Sequence, residues 1–238
     1  MALTGSAFLA LWNDREETRE DYEAWHTREH LPERLSVPGI LAGRRYVGGE
    51  GPLPDYFTLY PLSDLAVLDS EAYLAIVDQP TAWSQSMRPA MSRFFRLGCE
   101  RDVSIGGGIG GCLAATLLKA GDAQPDSKVF RAIADLPGFN ALHLGHVVDV
   151  PALPFTGAAP SDLPEADAVL LVEGYDPVLF AASLDQLDAL IGRAGYDRLL
   201  PWTRYGLAYA IDQAACETLL PIDADAMIHR LVPADIRA

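Results

Sequence analysis

The chain has 238 residues, half of them apolar, enough to bury a sizeable core as one large domain or as two of about 120 residues each. Its net charge of −15, with only Lys119 and Lys128 as lysines and the arginines scattered, argues against nucleic acid or an anionic membrane as a partner, because both need clustered basic residues. No uncharged apolar run reaches the roughly 18 residues of a membrane-spanning helix, and the N-terminus lacks the basic start of a signal peptide. Cys99, Cys112 and Cys216 are widely spaced in apolar surroundings, which reads as buried reduced thiols in a soluble cytoplasmic protein.

Residues 7–13 form a short apolar run and read as a strand. Residues 17–35 are polar with apolar residues at helical spacing, and Asp14 or Thr18 suits the cap. Val37-Pro38-Gly39 stops that helix. Residues 40–47 make a second strand, and a Gly/Pro turn at 48–54 leads to a third at 56–62. Residues 69–78 read as a helix with Ser70 and Glu71 near its start. An irregular stretch containing Pro80 and Pro89 precedes a fourth strand at 95–105. The order strand, helix, strand, strand, helix, strand is the ferredoxin-like unit.

The pattern then recurs. Residues 113–119 read as a strand and 126–136 as a helix with Ser127 near its cap. Leu136-Pro137-Gly138 repeats Val37-Pro38-Gly39 at an offset of 99 residues. Strands follow at 139–148 and 168–174, separated by a Pro/Ala-rich insertion at 150–165. A helix at 177–195 and a strand at 205–211 close the unit, and the tail from Glu217 has no repeat equivalent. The expected fold is therefore α+β, with tandem ferredoxin-like units at residues 1–107 and 108–238. Each unit buries one sheet face under helices, so the two free faces would meet as a barrel-like pseudo-dimer within the chain.

The chemistry-bearing residues concentrate in the first half. His26 and His30 lie four apart on one side of a helix, with Tyr22 on the same stripe. One imidazole suits a general base near neutral pH, oriented by the other or by Glu29. A plainer role for His30 is a backbone hydrogen bond that holds the turn before Pro32. H-T-R-E-H matches the inverted zinc-peptidase pattern, but Pro32 cuts the helix short and no acidic helix offers a third ligand, so no metal is expected. Gly106, Gly108 and Gly111 spell G-x-G-x-x-G. No second strand ending in an acidic residue follows at dinucleotide-fold spacing, so the glycines read as the link between the units. His143 and His146 point to opposite faces of a strand and cannot share a metal. By alternation, Phe8, Ala10 and Trp12 share a face, as do Ala42, Arg44 and Tyr46, and Tyr56, Thr58 and Tyr60. These faces are expected to line a cavity, with Leu9, Leu11, Phe57 and Leu59 packed under helices.

Trp25, His30, Pro32, Val37, Pro38, Gly39, Arg45 and Tyr46, arranged W-x-x-x-x-H-x-P…V-P-G…R-Y, resemble the dimeric α+β barrel superfamily, especially its EthD-like and stress-responsive branches. The resemblance covers the first half; the second fits by element order, by Leu136-Pro137-Gly138 and by the strand A-V-L-L-V-E-G-Y. It implies a ligand pocket in the barrel. Members include cofactor-free monooxygenases, lactone isomerases and polyketide cyclases, and fused two-unit relatives include haem proteins, so the fold transfers and the activity does not. The expectation is a small-molecule-binding barrel that works as a cofactor-independent enzyme on a small cyclic or aromatic compound. His30 or His26 abstracts a proton, Arg44 with Tyr46 or Tyr60 stabilises the developing oxyanion, and Trp12, Trp25, Tyr56 and Tyr60 bind substrate. The alternatives are a non-catalytic ligand-binding or assembly protein and a haem-binding barrel in which His143 or His146 ligates the iron. A homodimer is left open.

Overall fold

The structure is a computed structural model and describes residues 3–15, 19–121, 127–151, 153 and 163–217. The tail beyond Glu217 and most of the insertion at 150–165 lie outside the described residues. Strand β1 (Ala7–Arg15) leads through helix α1 (Arg19–Trp25), a π-helical turn (His26–His30) and α2 (Leu31–Leu35) to β2 (Ala42–Glu50) and β3 (Tyr56–Leu62). Helices α3 (Glu71–Asp78) and α4 (Ala82–Met87) precede the long β4 (Met91–Gly106). Then come β5 (Cys112–Ala120), α5 (Ser127–Ala134), β6 (Phe139–Val148), β7 (Ala168–Gly174), α6 (Pro177–Arg193), β8 (Tyr196–Arg198), β9 (Thr203–Asp212) and α7 (Gln213–Glu217).

Eight of the strands close into an antiparallel ring, β1-β3-β2-β9-β5-β7-β6-β4 and back to β1, and β8 extends β5 at its far end. Closure leaves none of the eight with an unpaired edge. Strands β1 to β4 lie in the order β4-β1-β3-β2, and the later four in the order β9-β5-β7-β6, so one order, 4-1-3-2 by position in sequence, occurs twice. The seams are β2 against β9 and β4 against β6. Both Pro-Gly turns use the left-handed region that glycine tolerates, with φ of 95° at Gly39 and 89° at Gly138.

The barrel interior is filled with side chains. Phe8, Trp12, Tyr46, Phe57 and Leu59 from the first four strands meet Leu113, Leu117, Val169, Leu171 and Tyr205 from the others, all buried. The outer faces pack under helices: Leu9, Tyr60 and Leu62 under Leu31, Leu35 and Val77, and Leu142, Leu144, Leu170 and Val172 under Phe130, Phe180, Leu184 and Leu187. This reverses the face expected for β3. Leu9 pairs with Tyr60 and Leu11 with Thr58, whereas Trp12 pairs with Phe57 and Ala10 with Leu59. Directly opposed residues share a face, so Tyr56, Thr58 and Tyr60 look out at the helices and Phe57 and Leu59 look in. All seven residues of β3 are buried, so no polar face marks its outside in the sequence.

The sequence reading misses helix α4, strand β8 and the short α7. Helix α4 occupies the stretch between Pro80 and Pro89 that reads as irregular; the Thr81 side chain caps it by accepting from Ser84 N–H. Strand β8 is only three residues long.

One ionic cluster sits inside the barrel. Arg44 Nη1 lies 2.7 Å from Glu173 Oε1, with both side chains essentially fully buried. Glu173 Oε2 accepts the Gly110 N–H at 2.7 Å, and His143 Nε2 lies 3.3 Å from Oε1. Gly110 belongs to the glycine-rich link, and a Cβ there would come within 2.5 Å of the Gly174 carbonyl. The link is therefore fitted to its place rather than loose. Removing one member of a buried pair leaves the other charge unpaired, which costs about 3–5 kcal/mol. Glu173→Gln is expected to lower the urea midpoint accordingly at unchanged m-value, measured by equilibrium unfolding. An unchanged midpoint means that Arg44 is neutralised elsewhere.

Candidate functional site

The helical segment after β1 changes pitch where the two histidines lie. Leu31 N–H bonds to the His26 carbonyl five residues back, closing a π turn over His26–His30. Such single wide turns are rare and occur mostly at functional sites. The wide turn also explains why Pro32 does not end the helix: the i→i−4 ladder is already interrupted there, so a residue without N–H fits within α2. The outcome is a stripe of Tyr22, His26, His30 and Arg34, each four residues from the next, facing the outer surface of β1 and β3.

Between this stripe, those strands and α3 lies a cavity of about 40 Å³. Leu9 and Tyr60 line it from the sheet, Trp25, His26, His30 and Arg34 from the helical segment. It is small, with room for only a few waters as it stands. Its polarity is unusual for an enclosed space. His26 Nδ1, His30 Nδ1, Tyr60 OH and Arg34 Nη1 are buried atoms without a hydrogen-bond partner, and all four residues line it. Buried polar groups are normally satisfied, and each exception calls for a reason.

The imidazoles are well fixed. His26 Nε2 lies 3.3 Å from Thr58 Oγ1, and the two histidine rings stand 5.0 Å apart. The Trp25 ring lies 4.5 Å from that of His30, tilted by 37°, while its Nε1–H donates to Ser84 Oγ at 3.1 Å. Glu29 faces away, accepting from Thr81 Oγ1 and from Ser84 Oγ at the start of α4, so it anchors that helix and does not orient a histidine. Burial drives both histidine pKa values well below the ordinary 6.5; the charge of Arg45 adds to this at His26, and those of Arg34 and Arg88 at His30. Burial pushes the Tyr60 hydroxyl far above its usual range. At neutral pH the cavity therefore holds two uncharged imidazoles and an intact phenol.

The expected site is split by the sheet. His26, His30, Trp25 and Tyr60 come together at the cavity. Tyr56 packs beside it, its ring 4.8 Å from that of Tyr22. Arg44, Tyr46 and Trp12 lie on the other side, inside the barrel, where Arg44 is held by Glu173 and Trp12 stacks on Phe95 at 4.9 Å. Arg44 is thus already paired and separated from the histidines by the sheet. The residue that sequence reasoning missed is Arg34. Its four-residue spacing from His30 was visible within the helix read over 17–35, but no role was assigned to it. At the 99-residue offset, the counterparts of His30 and Arg34 are Val129 and Ile133, both buried and apolar.

Haem does not fit the donors present. His143 is fully buried, with Nδ1 2.8 Å from Ser104 Oγ and Nε2 directed at Glu173 Oε1, 3.3 Å away, rather than into open space. Large side chains fill the space around it inside the barrel. His146, on the opposite face, is half-exposed with Nε2 3.3 Å from Asp102 Oδ2. Among the described residues no group of three or more His, Cys, Asp or Glu is placed to hold a metal, and no helix is long and apolar enough to cross a membrane.

Solved structures share this architecture. An anthrone oxidase-like protein superposes with a TM-score of 0.64 at 12% identity, covering 93% of this chain and 99% of its own. A candidate chlorite dismutase gives 0.55 at 12% identity, covering 90% and 99%. A candidate monooxygenase from Fusobacterium nucleatum subsp. nucleatum gives 0.52 at 8% identity, covering 87% and 95%. The chain shares the fold of these proteins. At these identities the likeness carries the fold alone. No protein-family model and no curated protein matches the sequence.

The buried histidines set a pH dependence. Their folded pKa values lie below 6.5, so under pH 6.5 the unfolded chain binds more protons and stability falls as the pH drops toward the folded values. Glu33, whose carboxyl is raised by burial, acts in the opposite sense above its ordinary 4.5. A His26→Gln/His30→Gln variant is expected to lose a large part of the wild-type stability decline between pH 6.5 and 5, measured by thermal melting across that window. A decline of equal slope in the variant assigns it to other groups.

Proposed function

We propose that the chain is a small-molecule-binding α+β barrel protein that acts as a cofactor-independent enzyme of isomerase, cyclase or monooxygenase type on a small cyclic or aromatic compound. His30 is the base, and His26, Trp25 and Tyr60 complete the site. The observation that carries this reading is the pair of neutral imidazoles with free Nδ1 atoms on one cavity, which has to widen beyond its present size to admit such a compound. A neutral, desolvated imidazole accepts a proton without first losing one, and the Trp25 ring packed against it holds the His30 ring in place. In the chemical step His30 Nδ1 takes a proton from an acidic C–H, and the electron pair moves onto a conjugated oxygen. The anthrone oxidase-like neighbour suits this class, since an anthrone carries a C–H acidified by a carbonyl and two rings.

The reading includes a tandem origin. The repeated 4-1-3-2 strand order and the repeated Pro-Gly turns support two ferredoxin-like units, 1–107 and 108–238, joined as an intrachain pseudo-dimer with one working site. The W-H-x-x-E-H segment favours the EthD-like branch as the origin of the first unit.

In D2O, a cyclic ketone with acidified C–H bonds, 2-tetralone, is expected to exchange its α-protons faster with the protein than in buffer alone. His30→Gln should remove about 100-fold or more of that acceleration while the fold survives. The acid limb of the wild-type rate should lie below pH 6.5, because the lowered pKa keeps the base neutral into the acidic range. Exchange at the wild-type rate in the Gln variant rules His30 out as the base.

A further inference from the structure

We infer that the ligand of this cavity is an organic carboxylate and that Arg34 holds its anionic oxygen. This rests on the proposed site and names the class of compound it takes. Three arginines of the described residues are buried, and they differ in one respect. Arg44 pairs with Glu173 at 2.7 Å, and Arg45 is hydrogen-bonded to the Glu23 carboxylate. Among the described residues no carboxylate lies within hydrogen-bond reach of Arg34. Its nearest, Glu33 Oε2, stands 3.8 Å from Nη2, too far for a hydrogen bond, and that oxygen is itself buried without a partner. The remaining neighbour is the Tyr73 ring, 5.7 Å from the guanidinium carbon.

Arg34 Nη1 is buried with no acceptor, on a side chain only 10% exposed, and the residue lines the cavity. A guanidinium cannot shed its proton, so a buried N–H without an acceptor is costly, and among the described residues none supplies one to Nη1. Planar carboxylates match the guanidinium fork better than a spherical ion does. The surroundings add to the field: the charges of Arg34 and Arg88 both reach His30. Glu33 stands close, but its oxygen lies beyond hydrogen-bond reach and burial raises its pKa, which weakens its hold on the cation. Tyr60 OH, also without a partner, offers a donor to the second carboxylate oxygen.

The test uses benzoate and its neutral isostere benzamide as probes, titrated into the full chain and followed by NMR at the His30 ring. Wild-type protein is expected to bind benzoate about tenfold or more tightly than benzamide, the worth of a charge-assisted hydrogen bond. Bound benzoate should also raise the His30 pKa by offsetting the charge of Arg34. Arg34→Met, which keeps the stem and removes the charge, should abolish the preference and melt at or above the wild-type temperature. Arg34→Gln serves as a second neutral variant should the Met chain fail to fold. Equal affinities in the wild type, no binding of either probe, or a preference retained in the folded neutral variants overturns the inference. The two readings fail separately. Loss of exchange in His30→Gln without a benzoate preference leaves the base and removes the carboxylate; a benzoate preference with unchanged exchange leaves an anion site without that base.

Discussion

The barrel depends on one buried ion pair. Arg44 comes from β2, Glu173 from β7, the Gly110 N–H from the link, and His143, beside Glu173, from β6 with Ser104 of β4 behind it. Both halves of the sequence thus contribute to a single cluster in a dry interior. Taking these charges out of water is costly, and only a geometry that satisfies several of their hydrogen-bonding atoms offsets it. That requirement acts on register: sliding β2 or β7 by one residue would turn its charge outward and leave the other unpaired inside. Apolar packing among Phe8, Trp12, Phe57 and Leu171 tolerates small shifts, but the ion pair does not. Burial favours the neutral carboxyl, yet His143, Arg44 and the Gly110 N–H together hold Glu173 below its ordinary pKa, so the charge persists.

A filled barrel has a consequence for where function can lie. With its centre given over to packing and a neutralised cluster, space for a ligand remains between helices and sheet. In the second half α5 and α6 close that layer with Phe130, Ile133, Leu184 and Leu187. In the first half the π turn inserts a wider, polar step, and the layer stays open as a cavity. The substitution of Val129 and Ile133 for His30 and Arg34 at equivalent sequence positions expresses the same difference in residue types. One half has kept a continuous apolar stripe, and the other carries groups that are costly to bury.

Much of this was legible in the sequence. The element order, the two Pro-Gly turns and strands such as 139–148 and 168–174 follow from periodicity and turn chemistry, and the structure has them. The concentration of polar chemistry on the segment from Trp25 to His30 was visible for the same reason. What failed was the assignment of faces. Alternation tells which residues of β3 lie together, but with both faces apolar it cannot tell which faces the interior, and Tyr56, Thr58 and Tyr60 went to the wrong side. Arg44 and Tyr46 were grouped with the histidines because they are close in sequence, yet adjacent elements can present residues to opposite surfaces of one sheet. Arg34 lay inside the helix read over 17–35, but periodicity alone does not tell which helical arginine is buried beside a cavity.

The charge of Arg34 acts on the cavity in two opposing ways. It lowers the proton affinity of His30, which weakens that group as a base. It equally lowers the energy of any anion formed or held nearby, and the two effects share one Coulombic origin and comparable distances. For proton abstraction the balance favours the cation, because the negative charge left on the substrate is stabilised in the transition state while the neutral base loses only part of its basicity. A histidine without the arginine would be more basic but would leave an uncompensated anion in a dry space. The same reasoning accounts for Glu33 standing 3.8 Å away, beyond hydrogen-bond reach. A carboxylate fixed to Arg34 by the chain, as Glu173 is to Arg44, would cancel the field and restore the pKa of His30. An arginine left open is useful to a ligand; one that is paired serves the fold.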